Sequence, residues 1–261
     1  MFKNSTILEK WKKWIDVNCF LLYTILRMVV VFMDNIITFD DLCNIIKKEK
    51  GYTTTRACIN EINRMIGKKE IYKLSSNIYK FGSKKIFSIK KSKTNIDIVN
   101  EINNNYDIDF VIWNISILNE WLNHLINSSV VILEVEKDYL EFIFEHLKDK
   151  FNILINPSKN EIYNYSTNDT IILKPLISKA PINHKENTPK IEKIIVDIFL
   201  DKIVNCFYES NERIGIYEQI FDIYSVNYKT LFAYAKRRHI YKEFKEYLEK
   251  HKIGDVKYLW F

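Results

Sequence analysis

Residues 53–81, TTTRACINEINRMIGKKEIYKLSSNIYKF, join a helical pattern to two short β-prone runs across a polar turn. Cys58, Ile62, Met65 and Ile66 recur at helical spacing, while Arg56, Asn60, Asn63 and Arg64 fall on the other side. One face is suited to burial and the other to contact. Thr53 or Thr54 is placed to cap the helix start with a side-chain oxygen, and Gly67 to end it. Residues 71–74 and 78–81 then flank Ser75-Ser76-Asn77, a turn-forming tripeptide, which makes a small hairpin. Helix followed by hairpin is the pattern of a recognition helix and its wing, so the expected fold here is a winged helix-turn-helix.

Domains that bind no nucleic acid share that pattern, and charge is what separates them. Residues 34–93 carry 14 Lys and Arg against 6 Asp and Glu, a net of +8, although the whole chain is only +6. Residues 1–33 add +3, which leaves a net −5 on residues 94–261. Clustered cations release condensed counterions from phosphates, so the positive segment has the footprint of a face for double-stranded DNA. The residues expected at a major groove are Thr54, Thr55, Arg56, Asn60, Asn63 and Arg64. Lys73, Ser75, Ser76, Asn77 and Lys80 are expected at phosphate or in a minor groove.

Working outward, Thr38-Phe39-Asp40-Asp41 opens a preceding helix with a cap and first-turn carboxylates that suit the positive helix end. Phe39, Leu42, Ile45 and Ile46 form its apolar stripe, and Gly51 ends it. A winged fold normally has a third helix, which must come from residues before Asp34 or be reduced. Residues 20–33 are apolar (FLLYTILRMVVVFM) and follow a basic run with Trp11 and Trp14. A spanning helix needs about 20 apolar residues, and this run is about 14 with Arg27 inside it. The expectation is an added soluble helix, or an upstream start with Met33 as the true first residue, and a cytoplasmic protein without membrane association. Cys19, Cys43, Cys58 and Cys206 show neither metal-ligand spacing nor a disulfide framework.

Residues 82–93 (GSKKIFSIKKSK) read as a further strand or a basic linker, and 95–105 as helical. The domain boundary is placed between 91 and 106, giving domains 34–93 and 94–261. The second begins with the strand pattern 110–113, a helix through Leu118, Trp121, Leu122 and Leu125, and a strand at 130–135. A helix at 139–150 with Phe142, Ile143 and Leu147 inward follows, then strands at 151–155 and 171–173 around a polar loop at 156–169. From Thr188-Pro189, read as a helix start, the rest is helical. The expected class is α+β: an N-terminal winged helix-turn-helix, then a mixed α/β domain with a helical C-terminal portion.

No catalytic constellation, metal site or cofactor site is expected. The acidic strand end Glu134-Val135-Glu136-Lys137-Asp138 tempts a nuclease reading. Lys137 is preceded two residues back by Val135, however, which puts acid and lysine on opposite faces. Glu134 and Asp138 are therefore expected as solvated carboxylates. Asp197, inside the apolar run 194–199, is expected as a paired structural charge. The five histidines have no ligand-like spacing, and Lys236-Arg237-Arg238 reads as a solvated helix end with an option on phosphate or an acidic partner.

Ordered blocks carry a family resemblance: IYKLSSNIYKFG, VIWNISILNEW, VVILEVEKDYLEFIFEHL, ILINPSK, IILKPLISKAP, IEKIIVDIF and YAKRRHIYKEFKEYL. Together, from about residue 39 to 248, they resemble AbiEi-type antitoxins of bacterial type IV toxin–antitoxin systems. The resemblance implies a winged-helix domain that represses its own promoter by binding repeats there. It also implies a C-terminal domain for antitoxicity against a nucleotidyltransferase toxin, without a stable complex between the two. Two other readings stay open, a stand-alone regulator whose second domain senses a ligand and a metal-dependent nuclease using Glu134, Glu136 and Lys137.

Overall fold

The computed structural model describes residues 36–74 and 77–256, and the N-terminal readings above, with the turn residues Ser75 and Ser76, lie outside them. The chain divides into two compact units, residues 1–83 and 84–261.

In the first unit, β1 (Ile36–Thr38) leads directly into α1 (Phe39–Lys50). The Thr38 hydroxyl accepts the Asp41 N–H at 3.2 Å, and Gly51 leaves the helix at φ 68°, a left-handed turn that a side chain would strain. The next helix, α2 (Thr55–Gly67), is capped by Thr54, whose Oγ1 accepts from Ala57 N at 3.2 Å. The strands β2 (Ile71–Lys73) and β3 (Ile78–Phe81) form the expected antiparallel hairpin. The strand β1 adds to its other side, giving the order β1-β3-β2, and was not visible in the sequence. Leu42, Cys43 and Ile46 of α1 pack with Cys58 and Ile62 of α2 and with Ile71 and Tyr79 of the sheet. Full burial of a side chain such as Ile62 contributes roughly 1.5–3 kcal/mol to this core.

The second unit starts with residues 84–91, which form no named strand. They are held by the Lys85 N–H to the Ile223 carbonyl at 2.9 Å and by the Phe87 ring against Tyr224. Those contacts put them with the second unit, ten residues before the sequence-based boundary. The helix α3 (Lys93–Asn105) precedes β4 (Phe110–Asn114), and a 3-10 turn at Ile115–Glu120 replaces the helix expected through Leu125. The chain continues through β5 (Val131–Val135), α4 (Leu140–Leu147), β6 (Ile153–Ile155), α5 (Lys159–Tyr165) and β7 (Ile171–Pro175). The sheet order is β4-β5-β7-β6, with β4 antiparallel to β5 and the remaining pairs parallel.

Strand alternation decides what faces what. Val131, Leu133, Val135, Ile171 and Leu173 pack against Ile98 and Ile102 of α3 and Ile143 and Leu147 of α4. The intervening residues, Ile132, Glu134, Ile172 and Lys174, point to the opposite face, which is also buried. Helices occupy that side. After a two-stranded ribbon, β8 (Ile182–Asn183) with β9 (Thr188–Pro189), come α6 (Ile191–Leu200), α7 (Arg213–Ile223), α8 (Tyr228–Arg237) and α9 (Tyr241–Lys250). Two local expectations are corrected. Pro189 pairs with Ile182 in the ribbon instead of starting a helix, and Phe142 is 64% exposed because Leu140, Ile143 and Leu147 of α4, with Phe144 in part, are the side chains that turn inward. The architecture is mixed α/β.

Candidate functional site

Two features stand out from the packing: a polar helix face in the first unit and a buried charge network in the second. On α2, Arg56, Asn60 and Asn63 form one exposed stripe, opposite the buried Cys58 and Ile62. Thr54 and Thr55 are exposed at its N-terminus, where Thr54 is spent on the cap. Arg64 is also exposed but differently employed. Its Nε donates to Glu61 Oε2 at 2.9 Å and its Nη2 to Oε1 at 2.5 Å, while Lys50 Nζ approaches the same carboxylate at 2.9 Å. Hydrogen bonds from Arg64 and then Lys50 hold the Glu61 carboxyl down at about 2. Arg64 therefore serves the helix and its neighbour before any ligand.

The hairpin residues do not all converge. Lys73, opposite Tyr79, and Lys80, opposite Tyr72, point to the two different faces of the ribbon. The Lys73 ammonium sits 5.8 Å from the Tyr79 ring centroid, and Asn77 is exposed with its carbonyl accepting the Phe39 N–H at 2.8 Å.

In the second unit, Glu134 is 2% exposed, contrary to the solvated carboxylate expected from sequence. Its Oε1 accepts from Lys193 Nζ at 2.6 Å and lies 3.6 Å from Lys174 Nζ, the in-register neighbour on β7. Lys193 also donates to Asp197 Oδ2 at 2.5 Å, one turn along α6, and Lys174 pairs with Asp201. Arg238 Nη1 donates to Asp197 Oδ1 at 2.7 Å, and the Tyr234 hydroxyl reaches the same oxygen at 3.3 Å. Asp197 is thus the paired structural charge that the sequence implied. Three carboxylates meet three cations, so their formal charges balance, although burial pushes the Asp197 carboxyl up against the pull of Lys193.

The protonation preferences follow from that geometry. Burial pushes the Glu134 and Asp201 carboxyls up, but the adjacent lysines outweigh it and both end below the usual range. Burial pushes Lys193 toward neutrality, and Asp197 and Glu134 outweigh it to hold the ammonium charged. At 1% side-chain exposure Lys193 meets no substrate. Its role is to tie β5 to α6, while Arg238 and Tyr234 tie α6 to the end of α8. The nuclease trio does not form, because Glu134 points inward while Glu136 and Lys137 are exposed at the strand end. Among the described residues, no group of three or more His, Cys, Asp and Glu side chains is arranged to hold a metal ion.

Sequence reasoning missed Lys174 and Lys193 and placed Glu134 in solvent, and a signal was present. Each interrupts an apolar run, VVILEV, IILKP or IEKIIVDIF, and buried runs tolerate a charge only where another run supplies its opposite.

Fold and site define a mixed α/β chain of two units, one basic with an exposed polar helix face and one centred on a buried ionic network. The family model described as a family of unknown function (DUF6577) matches residues 57–254, and the chain belongs to that family. No curated protein matches it.

Proposed function

We propose that the chain is an antitoxin of the AbiEi type that also represses its own promoter, with the first unit as a winged helix-turn-helix on double-stranded DNA. The observation that carries the DNA-binding part is the exposed stripe of Arg56, Asn60 and Asn63 on a helix whose opposite face is packed. A major groove admits such a helix, and these side-chain types match base edges, Arg to guanine and Asn to adenine. The order β1-α1-α2-β2-β3 with a three-stranded antiparallel sheet supports the wing, and residues 1–83, with 14 Lys and Arg against 8 Asp and Glu, hold the chain's whole net charge of +6, which supports phosphate contact. In this reading α2 is the recognition helix, Arg56, Asn60 and Asn63 read bases, and Lys73 or Lys80 meets phosphate according to which face of the ribbon lies on the DNA.

The antitoxin part rests on the ordered sequence blocks that run through the second unit. Its action is non-enzymatic and needs no cofactor, it opposes a nucleotidyltransferase toxin without a stable complex, and its setting is the cytoplasm. Among the described residues no helix is long and apolar enough to cross a membrane.

Co-expression tests both halves together. The full-length chain is produced with the product of the adjacent gene, which this reading expects to be a nucleotidyltransferase toxin, growth is scored, and a reporter follows the chain's own promoter. Restored growth with lowered reporter output is the expected result, and toxicity that persists despite ample antitoxin would refute the antitoxin assignment.

A further inference from the structure

A concavity of about 550 Å³ opens between α8 and the loop that follows β7, within the second unit. Lys229, Lys236 and Arg237 reach it from one face of α8, Lys179 from the loop and His239 from the turn after the helix. Its floor is the exposed Ala233, with Pro181 and Tyr234 buried beneath it. Among the described residues no acidic side chain lines it, although residues 84–261 hold as many Asp and Glu as Lys and Arg. Basic residues at a helix C-terminus often do no more than complement the helix dipole, which would account for Lys236 and Arg237. It does not account for Lys229, in the first turn where a cation is disfavoured, or for Lys179 across the cavity.

The shape is also held in place. Arg237 donates to the Ser178 hydroxyl, bracing helix against loop, and the Tyr234 hydroxyl is fixed by Asp197 at 3.3 Å and Arg238 at 3.0 Å. The floor is therefore anchored to the buried ionic network, and Ala233, with its short side chain, keeps the space above it open. Cations around a concavity without an acidic side chain, in a volume within the usual range of small-ligand sites, match a polyanionic ligand.

We propose that this cavity binds a small polyphosphorylated ligand, held by its phosphates on the cationic rim. The site does not depend on DNA binding by the first unit.

Calorimetric titration of the full-length chain tests it, with ATP, inorganic tripolyphosphate and a single-stranded oligonucleotide as separate probes. The variant Lys229→Glu/Lys236→Glu alters the rim, and Lys242→Glu/Lys250→Glu makes the same charge change at exposed positions on α9. The expected result is saturable one-to-one binding of ATP that weakens about tenfold or more in the rim variant and stays unchanged in the control. Tripolyphosphate binding more weakly than ATP would add the base to the ligand, and equal binding would leave the phosphates as its recognised part. Absence of saturable binding by both small probes, or equal weakening in the two variants, would overturn the proposal. Oligonucleotide binding that is lost only in the rim variant, with the small probes silent, would overturn it in favour of a polynucleotide.

Discussion

At the scale of single residues, Lys193 is the side chain whose removal has the clearest consequence. It is shared by Glu134 at 2.6 Å and Asp197 at 2.5 Å, and all three are almost fully buried. Replacing it with Met, of similar length, leaves two buried carboxylates facing each other with one cation fewer. Breaking a buried pair from one side typically costs about 3–5 kcal/mol, whereas removing both partners costs less. Denaturant unfolding of Lys193→Met should show a loss of that size, partly recovered in Lys193→Met/Glu134→Gln. A loss under about 1 kcal/mol would mean that the network does not hold α6 to the sheet. Arg64 illustrates the opposite case, a residue that looked available in sequence and is engaged by Glu61 three residues away.

At the scale of elements, the legible features were the local ones. Thr38, Gly51 and Thr54 act within one turn of their own positions, and the β2–β3 hairpin closes across a few residues. By contrast β1 has three residues, too few to display a period, and its partner lies some forty residues on. The helix α5 was hidden in a polar loop, yet Ser158 and Glu161 form a capping box that Ser-Lys-Asn-Glu spells out. Pro189 was misread because proline suits both a helix start and a short edge ribbon, and only the pairing with Ile182 separates them. Acid should act on the α1–α2 pair through Glu61. Its folded pKa is lowered from 4.5 to about 2, so the stabilisation is fully present above 4.5 and is lost as pH falls from there towards 2. Unfolding of the first unit, followed by amide exchange between pH 5 and pH 2.5, should show that decline in the native chain and a flatter profile in Glu61→Gln. Matching profiles would contradict it.

At the scale of the whole molecule, charge was more informative than any motif. Its concentration in residues 34–93 pointed to the basic unit, although five of those 14 cations, from Lys84 to Lys93, belong to the second, which offered no catalytic pattern to read. The reason is physical: the second unit's polar residues come from β5, β7, α6 and the end of α8, far apart in sequence, so no spacing rule joins them. In the proposed function the stripe on α2 reads DNA. Its most direct test is the affinity of the full-length chain for a labelled duplex from its own promoter, compared with the Arg56→Ala variant at fixed salt. Arg56 is exposed and caps nothing, so the substitution leaves the packing intact, and loss of a bidentate base contact should weaken binding by about 1–3 kcal/mol. Unchanged affinity of Arg56→Ala for the promoter duplex would contradict the account.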